Sequence, residues 1–406
     1  MFEGTLKSDK IALREFLRNH LLDDVMPFWT KNCIDWQNGG ISNLVTNEGV
    51  RISDEKYMYS QGRALYTYSS LYNNIEKKQE YLDIGRCIAD FIFKTHKPGS
   101  GWSFRLNPDG SVIEDVKSAY VDAYMCTGLA EYAAATGNNE AMDLALSVYE
   151  RSSPMLDNPS KLPTAPLYFP KGTQPHGPIM HSVFAYNLLG KHAHRPDIIE
   201  RAYTLAIRAM DRHLDPENDL LYEFVSSTAG RAPGDYGQTV VIGHAIESMW
   251  FYEENFSRYG DVDRVKQTLQ LIKSHMEFGW DKTYGGIYLA KHVVEGVTPM
   301  WHNPESKSWW PQVETLYALL RAYEITGSTW FADWFDTLFK YIFTHYPNHE
   351  HGEWFHCLDR EGRLRGQIAT IPVKDPFHMP RAITKCILAL DRMLGLEEDH
   401  PEKNIH

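Results

Sequence analysis

Six stretches of the chain are nearly free of charge and carry apolar residues at helical spacing. They begin at Gly62 (GRALYTYSSLY), Ala119 (AYVDAYMCTGLAEYA), Gly177 (GPIMHSVFAYNLL), Gly243 (GHAIESMWFY), Trp309 (WWPQVETLYALLRAY) and Phe377 (FHMPRAITKCILAL). In the fifth stretch, Val313, Leu316, Leu320 and Tyr323 follow the i, i+3, i+7 pattern of one helical face. Helices that are apolar on most faces must be buried.

More highly charged amphipathic segments alternate with these stretches. They span 10–29, 80–96, 140–153, 198–214, 262–280 and 330–346. In the second segment, Tyr81 and Ile84 belong to an apolar stripe, whereas Glu80 and Asp83 lie on the other face. We interpret these segments as outer helices around an inner ring of the six apolar ones.

The period of the repeat predicts a closed ring. One polar residue near the start of each apolar stretch gives spacings of 59, 59, 66, 67 and 67 residues. No linker or change in composition divides the chain. We therefore expect an all-α fold, a single (α/α)6-barrel domain over residues 1–406, with six inner and six outer helices. Glycine-containing pieces from Gly101, Leu220, Gly285 and Gly352 predict short β-hairpins at one end of the ring.

Charge excludes several classes of partner. The chain has 41 Lys+Arg against 53 Asp+Glu, a net charge of −12, and no basic run, which disfavours nucleic acid and anionic membranes. The charged N-terminal segment lacks the apolar core of a signal peptide, which predicts a cytoplasmic protein. We expect it to be a monomer or a homodimer. Five widely spaced cysteines without a C-x-x-C pair are expected to be reduced thiols.

Ionisable residues lie near the start of almost every apolar stretch, where a barrel brings the helix N-termini to one mouth. A buried ionisable group is costly unless it is paired or functional. Each one alone is more simply a cap or a satisfied core pair; together they predict one polar cavity. The set is Arg63, Asp122, His181, His244, Glu247, Glu314, His378 and Arg381.

His244 and His378 are the candidate acid and base. A helix N-terminus disfavours imidazolium, so we expect both histidines to be neutral at pH 7. Glu247, three residues after His244, lies on the same helical face and is expected to orient that imidazole or to share the substrate with it. Two histidines on opposite sides of a ring suit proton removal from one face of a substrate and delivery to the other.

Tryptophans and arginines complete the predicted pocket. Aromatic faces bind the apolar face of a sugar, and the candidates near these anchors are Trp250, Trp301, Trp309, Trp310 and Trp354, of which at least half are expected to be core residues. Arg63 and Arg381 offer positive forks for an enolate or for hydroxyl oxygens.

We expect no metal and no cofactor. His349, Glu350, His351, Glu353 and His356 crowd one segment, but Pro347, Asn348 and Gly352 make it a solvated turn rather than a metal site. A metal at His244 and Glu247 is the weaker alternative to an acid/base role. The chain has no phosphate-loop, dinucleotide-binding or serine-hydrolase motif.

With GHAIESMWF from Gly243, WWPQVETL from Trp309, GEWF from Gly352 and KDPFHMPRA from Lys374, the sequence resembles the N-acylglucosamine 2-epimerase family, which also includes cellobiose 2-epimerases and aldose-ketose isomerases. The resemblance covers nearly the whole chain. It implies the same barrel, a small-molecule sugar substrate, and proton transfer at C2 through an enediolate without a consumed cofactor.

The resemblance also implies roles for single residues. His244 and His378 match the family's acid/base pair, and Arg63 matches its substrate-holding arginine. Glu247 and Glu314 match supporting carboxylates of the family. Trp309 or Trp310 matches a pocket wall, and His181 matches a further histidine that some relatives have.

The substrate stays open at this stage. FHMPRA and IESMWF are closer to the N-acylglucosamine pattern, whereas Gln312 is closer to the cellobiose pattern. Return of the proton to C1 would instead make the enzyme an aldose-ketose isomerase. Rival hypotheses are a glycoside or unsaturated-uronyl hydrolase, working through carboxylates such as Asp122, Glu247, Glu314 or Asp375, and a non-catalytic sugar-binding protein.

Overall fold

The computed structural model describes residues 4–158, 162–166, 169–372 and 374–396. In this part of the chain, six inner helices form a ring. They are α3 Met58–Asn74, α5 Ala119–Thr136, α7 Gly177–His192, α9 Ile242–Arg258, α11 Trp309–Thr326 and α13 His378–Leu394. Consecutive inner helices pack against one another, and α13 packs against α3, which closes the ring.

Six outer segments alternate with the inner helices. The first runs through α1 Lys10–Asn19, a π-helical turn His20–Val25 and α2 Met26–Cys33; the others are α4 Gln79–Thr95, α6 Asn139–Ser152, α8 Pro196–His213, α10 Val262–Gly279 and α12 Thr329–His345. The (α/α)6 barrel predicted from the repeat is therefore confirmed. No helix among the described residues is long and apolar enough to cross a membrane.

Short strands decorate the ring. They are β1 Leu44–Val45, β2 Arg51–Ser53, β3 Lys56–Tyr57, β4 Arg105–Leu106, β5 Val112–Glu114, β6 Thr173–Pro175, β7 Leu214–Asp215, β8 Leu220–Leu221, β9 Phe224–Ser226, β10 Thr239–Val241, β11 Ala290–His292, β12 Lys307–Ser308 and β13 Cys357–Leu358. All pairs are antiparallel, in the orders β1-β2, β3-β4-β5, β6-β9, β7-β8, β10-β11 and β12-β13.

The strands lie at the end of the ring where the inner helices begin. β3, β10 and β12 run directly into α3, α9 and α11, and β6 ends two residues before α7 begins. The piece from Gly101 forms the predicted local hairpin, β4 with β5. In the other pieces, β9, β11 and β13 pair with the strands that lead into inner helices, so they fix where those helices start.

Close approach of α3 and α5 depends on two glycines. A Cβ on Gly62 would lie 2.6 Å from the backbone of Tyr124, and one on Gly128 would lie 2.3 Å from the carbonyl oxygen of Gly62. Because neither glycine has a Cβ, the two backbones touch at this crossing. The contact brings Arg63, the residue after Gly62, within reach of the Tyr124 hydroxyl.

The first and fifth units share a buried framework. After α2, Asp35 forms an ion pair of 2.6 Å with buried Lys56 on β3; after α10, Asp281 forms one of 3.1 Å with buried Lys307 on β12. In both units the aspartate is followed by a glycine pair at positive φ, at 39–40 and 285–286. Each framework ties the turn after an outer helix to the start of the next inner helix.

A glutamine completes each framework. Gln61 on α3 accepts from the backbone N–H of Ile41 (2.8 Å) and donates to its carbonyl oxygen (2.9 Å). Gln312 on α11 does the same with Ile287, at 2.9 and 2.8 Å. Gln312 is therefore a structural anchor, and its resemblance to the cellobiose pattern carries no information about the substrate.

Replacing Gln312 with alanine should destabilise the protein without changing its substrate. The substitution leaves the buried N–H and C=O of Ile287 unpaired, at about 1–3 kcal/mol each. We expect a loss of about 2–4 kcal/mol in unfolding free energy and an unchanged preference among sugars, measured by denaturant unfolding and by relative kcat/KM. Gln61→Ala, which removes the equivalent glutamine of the first unit, is the matched variant for comparison. A change of preferred sugar in Gln312→Ala alone would contradict the anchoring role.

Candidate active site

Polar side chains from the first two turns of the inner helices meet inside the ring. His378 is the first residue of α13, His244 the third of α9, His181 the fifth of α7, Glu314 the sixth of α11 and Arg63 the sixth of α3. Hydrogen bonds or ring contacts join these side chains, directly or through Tyr124 and Trp310, into one cluster. The ionisable residues predicted to meet at the helix N-termini therefore do lie together, with the exceptions given below.

His378 is held between a carboxylate and two arginines. Its Nδ1 lies 2.8 Å from Glu314 Oε1, and its Nε2 lies 3.2 Å from Nη2 of Arg63. Because a guanidinium only donates, Nε2 must accept, which assigns the Nδ1–H tautomer. Burial lowers the pKa of His378 well below its ordinary value, so this imidazole is neutral.

His244 has a partner that the sequence analysis missed. Its Nδ1 lies 2.9 Å from Oε2 of Glu223, a buried residue between β8 and β9. Burial alone would lower the pKa of His244, but the Glu223 carboxylate raises it above its ordinary value. The expectation of a neutral His244 considered only the helix N-terminus, whereas the Glu223 carboxylate acts in the opposite direction and favours the imidazolium.

Glu247 has a different role from the predicted one. Rather than orienting His244, it accepts a hydrogen bond from Arg381 and lies 3.7 Å from Nδ1 of His378. Arg381 also donates to Glu314 Oε1 at 2.6 Å. The two carboxylates on α9 and α11 are thus joined through one guanidinium, and burial raises the pKa of Glu314.

Arg381 lies beneath the pocket. Its guanidinium carbon is 4.3–5.2 Å from the ring centroids of Phe377, Phe184, Trp250 and Phe251. Within the described residues, its Nε and Nη1 have no hydrogen-bond partner. Arg381 therefore neutralises buried carboxylates, and Arg63 remains the candidate fork for substrate oxygens.

A hydrogen-bond chain runs from Arg63 to His181. Arg63 Nη2 donates to the Tyr124 hydroxyl at 2.6 Å, and that hydroxyl lies 3.0 Å from His181 Nε2. Since the hydroxyl accepts from Arg63, its own hydrogen is available for His181 Nε2. The other ring nitrogen of His181, Nδ1, is buried without a partner among the described residues.

Trp310 contacts both catalytic candidates. Its ring centroid lies 5.1 Å from that of His244 and 5.4 Å from that of His378. A Cβ on Gly243 would lie 2.3 Å from this indole, so the glycine before His244 makes room for it. Trp301 approaches His244 from another direction, at 6.0 Å. Both tryptophans are partly exposed, as a wall of a sugar pocket must be.

The other candidate residues pack against this cluster or lie apart from it. Trp250, Trp309 and Trp354 are buried packing residues; Trp250 donates to Glu314 and Trp309 packs 6.3 Å from the His378 ring. Asp122 lies apart from the cluster, because its carboxylate pairs with Arg151 on the outer helix α6. Burial raises the pKa of Asp122 to about 6.

The histidine-rich segment after α12 divides in two. His349, Glu350 and His351 are exposed residues of a turn, as predicted. Glu353, in contrast, is buried and forms an ion pair of 3.0 Å with Lys374. In the described part of the chain, the only group with metal-ligand spacing is Glu247, Glu314 and His378, whose ligand atoms lie within 4.8 Å of one another.

EDTA and added ATP should leave the rate unchanged. The guanidinium of Arg381 already lies between Glu247 and Glu314 and repels a cation there, and the sequence has no phosphate loop. Initial rates with EDTA, with a divalent ion restored, and with ATP test this expectation. A several-fold loss with EDTA that a divalent ion reverses would show that this carboxylate group, or the turn at His349, binds a metal.

A cavity of about 900 Å³ lies elsewhere, beside the loop 293–305 and lined by Lys291, His292, Arg360 and Arg365 among others. None of the predicted site residues lines it. The candidate active site is placed at the two histidines instead, because perturbed imidazoles, paired carboxylates and an arginine meet there.

Residues 39–381 match the family model of N-acylglucosamine 2-epimerase, so the chain belongs to that family. It is 25% identical to N-acylglucosamine 2-epimerase of Mus musculus, over 94% of this chain and 92% of the relative, and 26% identical to that of Homo sapiens, over 92% and 88%. The fold is similar to that of cellobiose 2-epimerase from Spirochaeta thermophila, with a TM-score of 0.82, 21% identity, and coverage of 96% and 100%.

Proposed function

We propose that the protein is a sugar 2-epimerase that interconverts N-acetylglucosamine and N-acetylmannosamine. The observation that carries the proposal is the pair His244 and His378, each bound through Nδ1 to its own buried carboxylate and each in ring contact with Trp310. The pair supports one histidine acting on each face of C2. The relatives named N-acylglucosamine 2-epimerase support the choice of sugar.

The reaction begins with the open-chain sugar, whose C1 carbonyl makes the C2 proton acidic. A neutral imidazole takes that proton, and the bonding electrons move to the C1 oxygen as an enolate forms. The second imidazole, already protonated, gives its proton to the opposite face of C2. The electrons return from oxygen to carbon, and the sugar leaves with inverted C2.

Arg63 links oxygen binding to release of the base. In the structure its Nη2 donates to His378 Nε2, the atom that must take the C2 proton. When the C1 oxygen takes over that donor, the Nε2 lone pair becomes available, and the guanidinium is placed to stabilise the enolate. Binding and deprotonation thus act on adjacent atoms, C1 and C2.

The carboxylates favour epimerisation over glycoside hydrolysis. A hydrolase needs two carboxyl groups free to act as acid and as base or nucleophile. Here Glu247 and Glu314 both bind Arg381.

The compartment proposed for the enzyme is the cytoplasm. The state of assembly proposed for it is a monomer or a homodimer.

Each single histidine variant should exchange the C2 proton of a different epimer. His244→Ala and His378→Ala are incubated with each pure epimer in D2O, and C2 deuteration is read by proton NMR before conversion. The remaining histidine can remove and return a proton on its own face, so we expect wash-in without inversion. A panel with glucose, mannose and cellobiose identifies the substrate, and a ketose product would reveal an isomerase.

Loss of exchange with both epimers in both variants contradicts the division of labour between two bases. One histidine would then hold the enolate or open the ring while the other performs all proton transfer.

A further inference from the structure

The two histidine-carboxylate pairs differ in the charges around the carboxylate. Glu314 binds both His378 and Arg381, so its charge is shared between them. In the described part of the chain, Glu223 forms an ion pair with His244 alone. Its other oxygen, Oε1, is buried without a hydrogen-bond partner among the described residues. Glu223 thus lacks the second cation that Glu314 has.

We propose that Glu223 is a positioning residue that keeps a proton on His244, so that the resting enzyme presents His244 as the acid and His378 as the base. The Oε2–Nδ1 distance is 2.9 Å, and Glu223 is 1% exposed. A buried carboxylate without a counter-charge costs several kcal/mol. Protonation of His244 supplies that counter-charge. The inference rests on the proposed function for its meaning in catalysis.

The surroundings of His378 act in the opposite direction. Arg63 Nη2 lies 3.2 Å from Nε2, and Arg381 Nη2 lies 3.5 Å from Nδ1. A second proton on this ring would be placed between two guanidinium groups. The lowered pKa of His378 and the raised pKa of His244 agree with this geometry.

Other groups around His244 do not replace Glu223. The titratable or charged side chains that face it come from several elements. They are Glu223, Glu247 on the same helix as His244, Arg63 on α3, His176 just before α7, His181 on α7 and His378 on α13. Glu247 is bound to Arg381, and Arg63 opposes a proton on His244. Burial lowers the pKa of His176 and His181 well below the ordinary value, so both are neutral.

One turnover then exchanges the two protonation states. His378 gains the C2 proton, His244 gives its own proton to the other face, and the total number of protons on the pair stays the same. The enzyme returns to the resting form by exchanging protons with water. Glu223 favours the form in which His244 is protonated and His378 is neutral. This form reacts with the epimer whose C2 hydrogen faces His378.

The test measures the protonation of His244 directly. Protein labelled with ¹⁵N in its histidines is titrated by NMR, with the His244 signals assigned by comparison with His244→Asn. We expect Glu223→Gln to lower the midpoint of the His244 titration by at least about one pH unit. The basic limb of kcat/KM should move to lower pH by a similar amount, because the acid form is lost earlier. Glu223→Asp keeps a carboxylate, so the midpoint of its His244 titration should lie between those of the wild type and Glu223→Gln.

Glu131→Gln is the matched control. Glu131 is a buried carboxylate that binds His192 at 2.9 Å near the other end of α7, so its loss removes a buried histidine pair away from the pocket. It should leave both the His244 titration and the pH profile unchanged.

An unchanged His244 titration in both Glu223 variants overturns the proposal, even if both histidines prove essential. A uniform loss of activity at every pH with no shift of the titration also overturns it, since that is the signature of a purely structural role. If the wild-type enzyme fails to interconvert N-acetylglucosamine and N-acetylmannosamine, the proposed function is refuted and the electrostatic inference still stands. Full activity in His244→Ala or His378→Ala would refute only the acid/base pair.

Discussion

His244→Ala and His378→Ala should each lower kcat by about 10²-fold or more, the usual contribution of a general acid or base. Initial rates at saturating substrate measure the loss, and circular dichroism confirms that the helical fold is kept. Neither alanine can carry a proton, so the missing step is absent in both directions of the reaction.

The controls separate chemistry from packing. His192→Ala removes a histidine that pairs with Glu131 away from the pocket, and it should keep near-normal turnover. Glu247→Gln should cost less than either catalytic histidine, because this side chain binds Arg381 rather than a reacting atom. Full activity in either histidine variant would rule out the proposed pair. A Glu247→Gln enzyme that alone is inactive would favour a hydrolase.

Arg381→Met should give the largest loss of stability. The variant leaves Glu247 and Glu314, both 0% exposed, without their shared counter-charge. Removal of one partner from a buried ion pair costs about 3–5 kcal/mol. Denaturant unfolding at pH 7.5 is expected to show a loss in that range.

The loss should depend on pH in a defined direction. Burial raises the folded-state pKa of Glu314, and removal of Arg381 raises it further. A carboxylate whose pKa is higher in the folded than in the unfolded state stabilises the fold less as pH rises through the folded value. The deficit relative to wild type should therefore shrink on going from pH 7.5 to pH 5.5. Adding Glu314→Gln to Arg381→Met should recover part of it. A deficit that is the same at both pH values would mean that the guanidinium contributes mainly by packing against aromatic rings.

The ring could be predicted from the sequence because its inner helices have lost nearly all charge. Their few polar residues, such as Glu314 and Arg63, then stand out, and the helix period gives their position. Glu223 was missed because it lies outside any helix, in the short run LLYEFV. A single carboxylate in a strand-like apolar run is the signal that could have found it, but its contact with His244 depends on the pairing of β6 with β9.

Asp122 shows the limit of choosing residues by polarity. It lies two positions before Tyr124, about 200° away around the helix, so both cannot face the pocket. Tyr120, Tyr124 and Gly128 form the inward stripe, and Asp122 points to the outer helix. The rotation of α5 about its own axis decides which of its residues face the pocket. The close approach of α3 and α5 at Gly62 and Gly128 fixes that rotation.

The shared framework of the first and fifth units has a consequence for how such a pocket changes its chemistry during evolution. The anchoring glutamines stand two residues before a side chain of the candidate active site in both units, Gln61 before Arg63 and Gln312 before Glu314. Each anchor binds only backbone atoms of the preceding turn, so it sets the depth and rotation of the helix whatever side chain follows. Opposite charges therefore occupy equivalent places on one scaffold. A duplicated unit can acquire a new charge at that position by a single substitution, while the protein around it keeps the same geometry.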